Sequence, residues 1–261
     1  MYPHHQQAIE RLIRHFENDT NFQALIIGGS IAKGWAREDS DIDFMLVATD
    51  EEFARRQANN AMTFFSLDFC DYPGGYVDGK IIDVPFLREV AECGSEPARA
   101  AFGGAFIAYS RLPEVADLLA RIPVYQDGEQ HRKLESFYAQ VLAMQWYVGE
   151  AEKRHDPYLM THVVAQLVLF GGRMILAHNR VLYPYHKWFM NELRRAPEKP
   201  DNLMELMETL LAHPCKAHAD QFCDTILKFT EWPTPSEGWP ARFMQDSEWN
   251  WRSGHTPLAD S

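Results

Sequence analysis

Cysteine is scarce in this chain, four in 261 residues at positions 70, 93, 215 and 223, and too scattered to frame a disulfide-stabilised fold. Positive charge is also short. Lysine and arginine total 25 against 37 acidic residues, a formal charge of −12, which argues against broad nucleic-acid binding, where a basic stripe would normally carry the affinity. An acidic surface is compatible with a small cationic substrate, but it serves equally to keep a protein soluble. No uninterrupted apolar run is long enough for a clean membrane span. The longest, Tyr158 to Ala177, is broken by His162, Gln166, Gly171, Gly172 and Arg173 and reads as a buried helix. The start of the chain lacks a signal-peptide pattern. Ile9, Leu12, Ile13 and Phe16 fall on one face of an amphipathic helix instead, and the expected compartment is the cytoplasm. No internal repeat stands out.

The texture of the chain changes near residue 125. Before it, short β-like runs alternate with helices: strands are expected near 24–28, 41–47, 61–66, 72–77, 80–86 and 106–109, and a helix from Leu112 to Ile122 closed by Pro123. After it the periodicity is helical almost throughout, over roughly 128–154, 157–179, 185–196, 201–213 and 216–231, punctuated by Asp156-Pro157, Pro197 to Pro200 and Pro214. The expectation is an α+β protein: a mixed sheet with helices in residues 1–125, then a helical bundle in 126–261. The tail from Trp232 holds Trp232, Trp239, Trp249 and Trp251 among prolines, too apolar for a disordered tail, and is expected to pack as irregular chain on the body or a partner.

The chemistry concentrates at Gly29-Ser30 and, after a ten-residue spacer ending in Ser40, Asp41-Ile42-Asp43 at the head of the apolar run Phe44-Met45-Leu46-Val47. Two strand residues two apart point to one face about 6–7 Å apart, so Asp41 and Asp43 could share metal ions. A turn without a Cβ lets backbone N–H groups approach phosphate, and Ser30 adds a hydroxyl where a helix begins. The apolar Ala24-Leu25-Ile26-Ile27 before the turn completes a strand, turn, short helix, strand order.

In these residues the chain resembles the polymerase-β-like nucleotidyltransferase superfamily, especially its bacterial small-molecule branch of the aminoglycoside and lincosamide type. The motif likeness covers about residues 24–86, and the helical half matches in layout only. The resemblance implies two Mg²⁺ held by carboxylates, ATP as nucleotide donor, and transfer of AMP to a hydroxyl of an acceptor, expected to be a small molecule rather than nucleic acid or membrane. It also calls for a third carboxylate on a neighbouring strand. Asp78-Gly79 reads as a hairpin turn between 72–77 and 80–86, and Asp83 then interrupts an otherwise apolar strand, so Asp83 is the expected third ligand and proton acceptor. Competing assignments are an Asp83 that caps a backbone group at a strand end near Pro85, or a different choice of ligand such as Asp71 or Asp78.

In the second half, Tyr183-Pro184-Tyr185-His186-Lys187-Trp188 is similar to a segment of bacterial nucleotidyltransferases in which a lysine faces the triphosphate, which makes Lys187 the expected phosphate partner. Trp188 and Tyr185 as core anchors beside a solvated lysine is the plain alternative. Lys33 and Arg37 in the spacer are further candidates. His213, Cys215, His218 and Cys223 lack the spacing of a zinc site. Two other functions use the same motif: modification of a protein side chain or RNA end, as in minimal nucleotidyltransferase antitoxins, and a nucleotide-binding regulator without turnover. Retention of the turn and three candidate carboxylates argues against the last.

Overall fold

The computed structural model describes residues 1–253; the end of the tail, 254–261, lies outside them. The chain is α+β and divides into two compact units, Met1–Val124 and Tyr125–Ser261.

The first unit begins with α1 (Pro3–Phe16), whose Ala8, Ile9, Leu12 and Phe16 are buried along one stripe, the period expected of an amphipathic surface helix. Five strands follow among the described residues: β1 (Phe22–Ile27), β2 (Ile42–Ala48), β3 (Thr63–Ser66), β4 (Val77–Ile82) and β5 (Phe106–Ser110). They form one sheet in the order β3-β4-β2-β1-β5, in which β2 and β4 run parallel and every other pair is antiparallel. A parallel pair needs a long crossover. Here α3 (Asp50–Ala58) and β3 supply it, with Thr49 capping α3 by accepting from the Glu52 N–H.

The two faces of the sheet separate by alternation. Leu25, Ile27, Ile42, Phe44, Leu46, Val77 and Ile81 join Ala8, Leu12 and Phe16 of α1 in one core. Ala24, Ile26, Met45, Val47 and Ile82 join a second core with Leu87 and Val90 of α4 (Val84–Cys93) and Leu118, Leu119 and Ile122 of α6 (Glu114–Arg121), while α5 (Glu96–Ala100) follows α4. On that second face the apolar positions lie toward one end of the strands, leaving the other end to polar side chains.

The expected hairpin at Asp78-Gly79 is absent. Residues 78 and 79 lie inside β4, paired with β2 on one side and β3 on the other, and 72–76 is a turn leading into β4 rather than a strand. Gly79 is not in the left-handed region that a tight hairpin turn requires. Its function is packing: a Cβ there would meet the Phe44 ring at 2.2 Å. The strand expected over 80–86 stops at Ile82, where Asp83 ends it by capping α4.

In the second unit α7 (Asp127–Arg154), α8 (Pro157–His178), α9 (His186–Arg195), α10 (Leu203–Ala212) and α11 (Lys216–Leu227) follow the sequence periodicity closely. His155 at φ 52° reverses the chain after α7, and the Asp156 carboxylate caps α8 by accepting from the Leu159 N–H at 3.0 Å. Among the described residues one helix, α8, is long and apolar enough by length and composition to cross a membrane. It serves as the packing centre of the bundle: a Cβ on Gly171 or Gly172 would collide with Phe222 or Phe189, so the two glycines admit α11 and α9. The tail is more regular than expected. It forms α12 (Trp239–Phe243), a π-turn (Met244–Glu248) and a 3₁₀ turn (Asn250–Ser253), held to α7 by Gln140 Nε2 donating to Ser247 at 2.7 Å and by Arg242 beside Glu135. Trp232 is buried and Trp251 exposed.

Candidate active site

The polar end of the first unit's sheet gathers most of the residues that the sequence singles out. β1 ends at Ile27 and the chain turns through Gly28 into α2 (Gly29–Ala32), with the Gly28 N–H donating to the Asp43 carbonyl at 2.9 Å. Gly29 takes φ +63°, a conformation costly for any residue with a side chain. It also lies against the Asp43 carboxylate so closely that an added Cβ would fall 1.8 Å from Oδ2. The turn and the second carboxylate are thus one assembly. Ser30 is buried, and its hydroxyl has no hydrogen-bond partner among the described residues. A buried hydroxyl without a partner is uncommon and calls for a ligand or a water to satisfy it.

Asp41 and Asp43 flank the buried Ile42, and both are half-buried. Across the parallel ladder Asp43 pairs with Asp78, whose side chain is exposed. Residues directly abreast in neighbouring strands share a face with Cα atoms about 4.8 Å apart, so Asp78 brings the third carboxylate beside Asp43. Asp83 does not join them. Five residues on from Asp78, it lies about 16 Å away along the strand direction, and its carboxylate accepts from the Phe86 N–H at 2.8 Å as the cap of α4. The carboxylate abreast of Asp43 is thus that of Asp78, and Asp83 caps α4 instead. The alternation of exposed Asp78 and Lys80 with buried Val77, Gly79 and Ile81 is the sequence signal that marks Asp78 as reachable from solvent.

Tyr76 stands one step before the first β2–β4 pair, level with Asp41. Its phenol is pushed above the ordinary range, first by a hydrogen bond to the Asp41 carboxylate and then by the negative charges of Asp41, Asp43 and Asp78. No sequence feature pointed to this residue. Nearby, the Tyr72 hydroxyl donates to the Ser40 carbonyl at 2.8 Å, and burial raises its pKa.

Among the described residues no three His, Cys, Asp or Glu side chains close on a point as a ready metal cage. Asp41, Asp43 and Asp78 nonetheless suit a hard divalent cation: all the donors are carboxylate oxygens, they share one face, and their mutual repulsion favours a cation between them. The basic candidates of the spacer are engaged elsewhere. Arg37 pairs with Asp39 at 2.9 Å in an exposed ion pair, and the Lys33 ammonium lies 5.3 Å from the Trp35 ring centroid. Lys187 belongs to the second unit, in the first turn of α9, exposed and with its ammonium 5.5 Å from the Trp188 ring. Of the four zinc candidates, Cys223 is buried in the bundle core and His218 Nδ1 is within 2.7 Å of the His213 carbonyl.

No protein-family model matches the chain, and no curated protein does. Among solved structures it is similar to a nucleotidyltransferase-like protein from Exiguobacterium sibiricum 255-15, at 11% identity and a TM-score of 0.49, over 98% of this chain and 83% of that one.

Proposed function

We propose that this protein is a nucleotidyltransferase that moves a nucleoside monophosphate, most simply AMP from ATP, to a hydroxyl group of a small molecule. One observation carries the reading: a left-handed glycine lying on a carboxylate, next to a buried serine hydroxyl without a partner, with a second carboxylate abreast of the first and a third two residues before it. Asp41, Asp43 and Asp78 would hold two Mg²⁺ ions, which when bound neutralise charge on the attacking and leaving oxygens.

The chain's own residues do the rest. Gly29 lets the Asp43 carboxylate lie against the turn, where any side chain would displace it, and the Ser30 hydroxyl donates its hydrogen to a phosphate oxygen. Asp78, the most exposed of the three carboxylates, accepts the proton of the attacking hydroxyl. The acceptor oxygen then bonds to the α-phosphorus while the bond to the bridging oxygen breaks, and pyrophosphate departs with that electron pair. The acidic balance of 37 carboxylates to 25 cationic side chains speaks for a small acceptor over a polyanionic one.

The test is calorimetric titration of the full chain with ATP, with and without Mg²⁺, followed by pyrophosphate release in the presence of small hydroxyl compounds, RNA or protein. Binding that requires the metal and is lost in Asp43→Asn supports the reading. ATP binding indifferent to both would sink it.

A further inference from the structure

The start of α1 is tied to the spacer that leads to Asp41. His4 Nε2 lies 2.9 Å from the Glu38 carbonyl and, since a carbonyl can only accept, that nitrogen carries a proton. The Tyr72 hydroxyl donates to the Ser40 carbonyl at 2.8 Å. Its ring stands against His4 and His5, with centroids 4.3 and 5.2 Å away, and the two imidazoles meet edge to face at 4.4 Å. Residues 38–40 are thus held by two hydrogen bonds whose donors pack around His5.

His5 is fully buried, which is uncommon for histidine. Its Nδ1 accepts from the Tyr2 N–H at 3.4 Å, so the neutral ring carries its proton on Nε2, an atom with no partner among the described residues. A second proton has only Nδ1 to go to. There it would break the bond from Tyr2 and leave a buried charge. The groups around it offer no relief: Asp71 pairs with Arg11 at 2.6 Å, Asp39 with Arg37 at 2.9 Å, and the contact from Glu38 is its backbone carbonyl. Burial holds the Cys70 thiol and the Tyr72 phenol above their ordinary values, so both stay neutral. Burial first, and then His4, press the His5 pKa below its ordinary 6.5, and the terminal amine adds to this.

We propose that His5 is the proton-sensitive pin of a latch: neutral, it seats the first turn of α1 against Tyr72 and keeps residues 38–40 in place, and protonated, it unseats that turn and frees the backbone leading to Asp41. The device is a property of the fold and stands apart from the reaction proposed above. The folded state takes up the proton less readily than the released one. The latch is therefore complete above 6.5 and opens as pH falls below it.

The experiment is amide hydrogen exchange of the full chain, read by mass spectrometry between about pH 8 and pH 5 and corrected for the intrinsic rate, on wild type, His5→Gln and Tyr72→Phe. In wild type, protection of residues 2–8 and 37–42 should fall together, by up to about tenfold per pH unit below 6.5, while β1 and β2 keep theirs. Glutamine can accept from the Tyr2 N–H but does not titrate. His5→Gln should therefore show no such pH dependence, whether or not it seats the turn. Tyr72→Phe keeps the ring and loses the bond to Ser40, so 37–42 should exchange faster at every pH while 2–8 still responds to acid. Wild-type protection that ignores pH overturns the latch, as does a pH dependence that survives in His5→Gln. Release of 2–8 with 37–42 still protected overturns it too, by showing that the turn does not hold the spacer.

Discussion

Gly29→Ala is the most informative single change, because two separable costs meet at that position. The first is conformational. Gly29 holds φ +63°, and an L-residue forced into the left-handed region loses about 1–2 kcal/mol. The second is steric. The new methyl carbon would stand 1.8 Å from Asp43 Oδ2, 2.5 Å from its Cγ and 2.6 Å from its Cβ. Rotating the carboxylate relieves the first two contacts but not the third, since Asp43 Cβ is tied to the backbone of β2. Either β2 or the turn must shift, stretching the 2.9 Å bond from the Gly28 N–H to the Asp43 carbonyl. Overpacking of this order typically costs a further 1–3 kcal/mol or so.

Gly34 supplies the control. It too is left-handed, at φ +72°, but a Cβ there would meet nothing within 4 Å. Gly34→Ala therefore bears only the conformational cost, about 1–2 kcal/mol, or roughly 4–8 °C in melting temperature for a unit of this size. Gly29→Ala should be less stable than Gly34→Ala by about 1–3 kcal/mol. It should also lose at least about tenfold in metal-dependent ATP affinity, because Asp43 no longer occupies its position, while Gly34→Ala binds as wild type. Thermal unfolding and calorimetric titration of the pair decide it. Equal stability of the two variants with intact ATP binding by Gly29→Ala would refute the claim that turn and carboxylate form one assembly.

Asp78→Asn should abolish metal-dependent nucleotidyl transfer, as should Asp41→Asn and Asp43→Asn. Asp83→Ala should leave transfer intact and lower stability by about 0.5–2 kcal/mol through loss of the α4 cap, and a pyrophosphate-release assay in which the two positions behave the other way round would return the role to Asp83. Lys187→Ala tests the expectation drawn from the aromatic segment: a lysine that touches phosphate contributes about 1.5–3 kcal/mol, so Mg-ATP binding should weaken about ten- to a hundredfold, and unchanged affinity would exclude the role. Glu52 is buried and accepts from Arg55 and Arg56, and its pKa is lowered from 4.5 to about 2, first by the Arg55 hydrogen bond. A lowered carboxylate pKa adds stability that is complete above the unfolded value and is lost as pH falls through the folded one. Denaturant unfolding should therefore show an acid-side decline between pH 4.5 and about 2 that is shallower in Glu52→Gln; identical pH profiles would dismiss the pair.

The parts of the site legible in the sequence are those that the chain makes locally. β1, the turn at Gly29-Ser30 and the carboxylates at the head of β2 are successive in sequence, and β2 is antiparallel to β1, so order alone brings them together. The third carboxylate depends on a parallel pairing, β2 with β4, whose partners are separated by 35 positions at Asp43 and Asp78 and which leaves no short-range mark. Two local signals were available and pointed the wrong way when weighed as a hairpin. Asp-Gly is a turn signal only where glycine is needed for its φ; at Gly79 it is needed because the Phe44 ring occupies the space of a Cβ, and Phe44 is remote in sequence. Asp83-Val84-Pro85 carries the signature of a helix start, an aspartate cap followed by proline in the first turn, and the carboxylate that looked anomalous within an apolar strand is satisfied by that cap. The underlying preference deserves to be reversed. An isolated carboxylate in an apolar run needs an explanation, but a metal-binding or proton-accepting carboxylate must be reachable by a substrate, and the alternate, solvent-facing positions of a half-buried strand offer that without a desolvation cost. Asp78 and Lys80 occupy such positions, while Tyr76, one residue before β4, was silent in the sequence because it stands level with Asp41 only through a strand pairing that the fold brings about.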